Sequence, residues 1–95
     1  MDVDETLQRI SSQKGVTGVI IMDSMGRAIR STLVEEETNK HAALIRQLTD
    51  KSKSVVKELD ATDDLNFLRL KTKKCELMIV PDKEYLVAVV YEKPA

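Results

Sequence analysis

His41 and Cys75 are the only histidine and the only cysteine in the 95-residue chain. Together they are the one nucleophile and base pair the sequence offers, a thiolate activated by an imidazole. Nothing in the sequence draws them together. His41 falls on the apolar side of a long helical pattern, where a packed or interfacial imidazole is the simpler reading. Cys75 opens a strand after a Lys-Lys turn, a setting in which free cysteine commonly serves as a small apolar core residue. One Cys and one His fall short of the three or four ligands of a zinc site. Glu35, Glu36 and Glu37 could hold a cation, but an acidic run also opens a helix, since negative charge is favoured at the N-terminal end of the helix dipole. Asp63 and Asp64 lie in a turn with no visible partner chemistry. "GVTG" at residues 15–18 has the GxxG spacing used elsewhere to clamp nucleic acid; here it joins a helix to a strand without a basic cluster. "KTKK" at residues 71–74 reads as a solvated hairpin tip. There is no Walker-type loop and no GxGxxG fingerprint. The expectation is a protein without a catalytic, cofactor or metal site.

The bulk numbers narrow the partners. Fifteen basic and sixteen acidic side chains give a net charge of -1, without the cationic surplus that releases counterions from a phosphate backbone. The residues argue against a nucleic-acid partner. The apolar runs are far shorter than the roughly 18 residues of a membrane span, and the acidic, amphipathic start does not read as a signal peptide. No membrane partner is expected. A single cysteine cannot form an internal disulfide, which fits a reducing, cytoplasmic compartment. With one Phe and two Tyr, the core must be aliphatic.

Periodicity supplies the elements that position these residues. Asp2 and Glu5 have capping-box spacing, and Val3, Leu7 and Ile10 form a helical stripe. This predicts a helix over residues 4–14, with Gly15 at its left-handed end. "GVTGVIIMD" gives a strand over 16–23, with Val16, Gly18, Ile20 and Met22 on one face and Val19 and Ile21 on the other, so both faces are covered. A "DSMG" turn leads to a strand over 27–32, whose Arg27 and Arg30 suit an edge. A long helix follows over 37–59. At about 100° per residue, Leu44, Val55, Leu48, Leu59, Ile45 and Val56 fall within an arc of roughly 120°. His41 and Ser52 land inside it, and Thr49 and Ala42 extend one edge. Strands over 65–71, 75–80 and 85–91 are joined by turns short enough for antiparallel hairpins. The order α-β-β-α-β-β-β describes a single α+β domain with a five-stranded antiparallel sheet and helices on its faces.

Two features point to assembly. The long helix spans roughly 35 Å and a seven-residue strand only about 23 Å, so the helix and its apolar arc overhang the sheet. Exposed apolar area of that kind is normally covered by a partner. The strand "LNFLRLK" lies at one side of the sheet and is poorly guarded as an edge. Two copies could pair it with itself about a two-fold axis, bringing the long helices side by side. The candidate interface is His41, Ile45, Leu48, Thr49, Ser52 and Val56 on the helix, with Asn66, Phe67, Leu68, Arg69 and Leu70 on the strand.

"LQRISSQKGVTGVIIMDSMGRAIRST" and "FLRLKTKKCELMIVPDKEYLVAVV" resemble the Roadblock family of dynein light chains. The opening pattern KGVxGhhhhxxxGxxIxST and the closing pattern FLRhxxKKxEhhhxPDKxYhhhV (h apolar) carry the match, with Gly15, Gly18, Gly26, Pro81 and Asp82 in place. The middle helix matches poorly. The resemblance implies a profilin/longin-like fold dimerising into a ten-stranded sheet, as a homodimer or with another Roadblock chain. It implies a non-catalytic subunit that binds the dynein intermediate chain and helps assemble the cargo-binding base for microtubule-based transport. The implied location is cytoplasmic and cytoskeleton-associated, or ciliary. Related domains scaffold or regulate small GTPases through the long-helix surface, which is the alternative.

Overall fold

The computed structural model describes residues 2–92. Its elements run α1 (Val3–Ser11), β1 (Val16–Asp23), β2 (Ala28–Ser31), α2 (Glu35–Leu59), β3 (Leu68–Lys71), β4 (Cys75–Pro81) and β5 (Tyr85–Glu92). The five strands form one antiparallel sheet in the order β2-β1-β5-β4-β3. This is the α+β architecture expected from the periodicity, with β2 and β3 as the two edges.

Each face of the sheet has its own aliphatic core. On one side Ile20, Met22, Ile79, Leu86 and Ala88 pack with Ala42 and Ile45 of α2, flanked by Leu33, Leu48, Leu68 and Leu77. On the other, Val19, Ile21, Val87 and Val89 pack beneath Val3, Leu7 and Ile10 of α1. Four consecutive β1 side chains, Val19 to Met22, are completely buried. Each contributes roughly 1.5–3 kcal/mol relative to exposure, so β1 anchors both layers.

Several boundaries and one facing depart from the sequence reading, for local reasons. Asp2 caps α1 as expected, accepting from the Glu5 N–H at 3.0 Å. The helix nevertheless ends at Ser11 instead of residue 14. The Ser11 hydroxyl bonds back to the Gln8 carbonyl at 3.2 Å and the Ser12 hydroxyl to the Arg9 carbonyl at 3.0 Å, and such side chains compete with helix continuation. Gly15, at φ +88°, therefore shapes the turn into β1 and is not the helix cap. Val16 lies on the α1 face, not with Gly18. The β1–β5 register shifts between Val16 and Gly18, and the extra residue, Thr17, turns Val16 over.

β2 is shorter than 27–32, although Asp23 N–H still bonds the Arg27 carbonyl and Thr32 N–H the Val19 carbonyl. α2 begins two residues earlier than 37, and β4 and β5 each run one residue further than expected. β3 begins at Leu68, not 65. Thr72 N–H donates to the Cys75 carbonyl at 2.8 Å, so by alternation Leu70 and Leu68 are the residues bonded to β4. The next bonding position, Asn66, would face Pro81, which has no N–H to give.

Candidate assembly interface

The buried residues of α2 are Thr38, Ala42, Ile45 and Thr49. At 100° per residue this stripe lies roughly 70° from the centre of the helix's apolar arc. Small side chains at Thr38, Ala42 and Thr49 let the helix sit close on the sheet while Ile45 fills the gap beneath. The other half of the arc is left outside. Leu44 is 57% exposed, Val55 45% and Leu59 83%. No α2 residue beyond Thr49 is buried. At 25 residues the helix is about 37 Å long, longer than the roughly 27 Å of an eight-residue strand.

Between α2 and the β3–β4 hairpin runs an apolar trough lined by Leu44, Ile45, Leu48, Leu70 and Leu77, with Glu37, Lys40 and His41 at one end. Several polar groups beside it bond within the domain. His41 Nδ1 lies 2.7 Å from the Glu37 carbonyl oxygen, so its N–H donates there and Nε2 is the free nitrogen. The Glu37 carboxylate stands 3.8 Å away. Ser52 donates to the Leu48 carbonyl at 2.8 Å and Thr49 to the Ile45 carbonyl at 2.7 Å. Among the described residues no buried side-chain N or O lacks a partner.

The β3 edge continues the same surface. Phe67 is 53% exposed and Leu70 46%. The Arg69 guanidinium lies 6.0 Å from the Phe67 ring centroid and its Nε is 3.0 Å from Glu76. The opposite edge is closed. In β2, Ile29 sits at a register shift, and the Arg30 guanidinium covers its carbonyl at 2.8 Å while pairing with Asp4 of α1 at 2.9 Å. A charged side chain bolted over an edge carbonyl discourages strand addition, and β3 carries no such bolt among the described residues.

The structure divides the sequence-predicted interface. Leu48, Ser52 and Val56 are half-buried, Leu48 flanking the α2-side core, and His41 rims the trough. Asn66, Phe67, Arg69 and Leu70 are exposed along β3, with Leu68 half-buried. Ile45, at 2% exposure, and Thr49, at 1%, are instead packed in the domain's own core, because the sheet-facing stripe is rotated from the arc centre. Leu44 and Leu77 line the trough and were not among the predicted interface residues; Leu44 was visible on the helical wheel, whereas Leu77 required the β3–β4 register. Cys75 and His41 have separate company, the Cys75 thiol lying 3.4 Å from the Thr72 hydroxyl.

Two carboxylates are set by their turns. Asp23 is held below the ordinary value first by the Arg27 N–H, then by the Met25 N–H and the Arg27 side chain. Asp60, just past α2, is lowered by the Thr62 hydroxyl and N–H.

A five-stranded antiparallel sheet between two helices, the longer with a half-covered apolar arc, defines a class of small α+β domains with one open edge. The chain belongs to the Roadblock/LC7 domain family, whose family model matches residues 2–92. It is similar to the crystal structure of a Roadblock/LC7 domain from Streptomyces avermitilis, with a TM-score of 0.81 and 14% identity over 93% of this chain and 73% of that one. It is also similar to MglB from Myxococcus xanthus, with a TM-score of 0.80 and 13% identity over 98% and 80% of the two chains. A third structure, described as MglB with a tetrameric arrangement, matches with a TM-score of 0.80 and 13% identity over 94% and 69%. At these identities the likeness establishes the fold.

Proposed function

We propose that this chain is a non-catalytic adaptor that works as a pair. Two copies join along β3 and lay their α2 helices side by side, and the merged sheet presents its surface to a larger assembly. The observation that carries this reading is the misalignment on α2: the sheet covers one half of the apolar arc and leaves Leu44, Val55 and Leu59 outside. Contiguous apolar surface beside an unguarded strand edge is normally covered. The tetrameric arrangement described for one MglB structure supports self-association within this fold.

Two classes of larger assembly fit. In the first, the pair is a Roadblock-type scaffold or regulator of a small GTPase, with the exposed α2 surface as the docking face. The bacterial MglB structures, one described as a gliding protein, favour this reading. In the second, the pair is a light chain of a dynein motor, cytoplasmic or ciliary, that binds two copies of an intermediate-chain segment. The light-chain patterns across residues 14–32 and 67–89 favour this one. Pairing would give two equivalent sites, and tethering two segments raises their effective concentration.

Native mass across a concentration series tests the pair, and a persistent monomer would refute it. Binding of a dynein intermediate-chain segment, measured beside a panel of GTP- and GDP-loaded small GTPases, separates the two partner readings. Nucleotide-dependent binding without intermediate-chain affinity selects the first, and the reverse selects the second. Replacing Cys75→Ser should leave either interaction intact, as expected of a protein without thiol chemistry.

A further inference from the structure

We infer that His41 makes closure of the apolar trough a proton-sensitive step, so that a second copy covers it tightly when the imidazole is neutral and loosely when it is charged. The inference rests on the pairing proposed above and adds its regulation. His41 is the chain's only histidine, and histidine is the side chain whose ordinary charge change falls between pH 5 and 8. It stands at the rim of the trough with its side chain 33% exposed.

The geometry fixes which nitrogen takes the proton. Nδ1 lies 2.7 Å from the Glu37 carbonyl oxygen. A carbonyl only accepts, so Nδ1 carries its hydrogen in both charge states. Nε2, on the other side of the ring from that bond, is the nitrogen that gains a proton when the ring becomes charged.

The surroundings fix the sign. On the same helix, the Glu37 carboxylate is 3.8 Å from Nδ1 and favours the charged ring, and Lys40 opposes it. Across the trough, β3 and β4 contribute Leu70 and Leu77, and among the described residues no charged side chain lines it from that side. Cys75, on the Leu77 face of β4 by alternation, keeps its thiol 3.4 Å from the Thr72 hydroxyl. While the trough is open, water hydrates the imidazolium. A second copy laid over it replaces that water at the rim. The Glu37 side chain is 53% exposed, so its attraction is that of a surface pair and counts for little. Withdrawing an ion from water costs considerably more. The neutral ring therefore tolerates closure and the charged ring opposes it. Closure expels a proton from each charged ring, and a step that releases protons is favoured as pH rises. A symmetric pair carries two such rings, which doubles the response. A carboxylate of the second copy set against Nε2 would reverse the sign.

The test is sedimentation equilibrium of the full-length chain at pH 8 and pH 5.5, at one ionic strength, with circular dichroism at each pH to establish that the chain is folded. Self-association should be about tenfold or more weaker at pH 5.5. H41Q and H41F, two uncharged replacements of different shape, should each pair with nearly equal strength at the two pH values. Three results would overturn the inference and leave the pair standing. They are a parent protein that pairs equally at both pH values, one that pairs more tightly in acid, and folded H41Q and H41F chains that keep the parent's pH response. A parent protein that stays monomeric at both pH values and all concentrations overturns the pairing and this inference with it.

Discussion

Asp23 closes the β1–β2 hairpin largely alone. Its Oδ1 accepts from the Met25 and Arg27 N–H groups at 2.9 and 3.0 Å, and its Oδ2 pairs with the Arg27 guanidinium at 2.9 Å. These donors favour the charged carboxylate and hold its pKa below the ordinary value. A carboxylate depressed on folding stabilises above its unfolded pKa, and the effect is lost as pH falls through the lower folded value. Asp23→Asn should therefore melt earlier than the parent protein near neutral pH by a constant margin. That margin should begin to close only below about pH 4, where an unfolded aspartate titrates. A margin unchanged down to pH 2 would assign the loss to geometry and not to charge. Gly26 completes the same turn at φ +82°, and a Cβ there would meet the Arg46 side chain. Arg46 in turn donates to the Met25 carbonyl, tying the turn to α2. Gly26→Ala should cost more than about 1 kcal/mol in chemical denaturation, from backbone conformation and contact together. The turn was legible in "DSMG", but its link to α2 was not, because nothing in local spacing places Arg46 beside residue 25.

At the scale of elements, periodicity revealed what each segment is, and three-dimensional register decided where its sides point. The alternation of β1 from Gly18 onward, the aliphatic runs of β4 and β5 and the long span of α2 are all local signals, and they place these elements to within one or two residues at each end. The flip of Val16 was hidden because a bulge is a property of two strands in register, visible only against Tyr91 and Val90. The late start of β3 was hidden for the same reason, since it depends on Pro81 across the hairpin. On α2 the sequence exposed a broad apolar arc but not which half the sheet would take. The choice falls on Thr38, Ala42 and Thr49 because small side chains permit close approach, and hydrophobicity scales do not reward that. The two halves should answer differently to mutation. Ile45→Ala empties a core position and should cost about 2–5 kcal/mol in chemical denaturation. Leu44→Asp, on the exposed half, should leave the isolated domain folded with a nearly unchanged circular dichroism spectrum. It should weaken self-association measured by sedimentation, because pairing would bury an uncompensated charge.

For the molecule as a whole, the open edge and the open helix face lie on the same flank. Leu70 and Leu77 line one wall of the trough, and Leu44, Ile45 and Leu48 line the other. The far flank, at β2, is closed by Arg30. A domain with one open flank and one closed flank pairs once and stops, whereas two open edges would propagate into a filament. Pairing at the open flank also couples assembly to stability, because a partner that binds only the folded chain raises the apparent melting temperature with concentration. The midpoint of thermal unfolding should therefore climb as protein concentration is raised a hundredfold. Phe67→Asp, which sets a carboxylate on the exposed β3 edge, should flatten that dependence while preserving the midpoint seen at the lowest concentration. A midpoint that ignores concentration in the parent protein would mean the flank is stable uncovered. A Phe67→Asp variant that still climbs would move the contact away from β3. Opening the far edge with Arg30→Ala supplies the converse: it should leave pairing at β3 intact while permitting species larger than the pair, read as added mass in sedimentation.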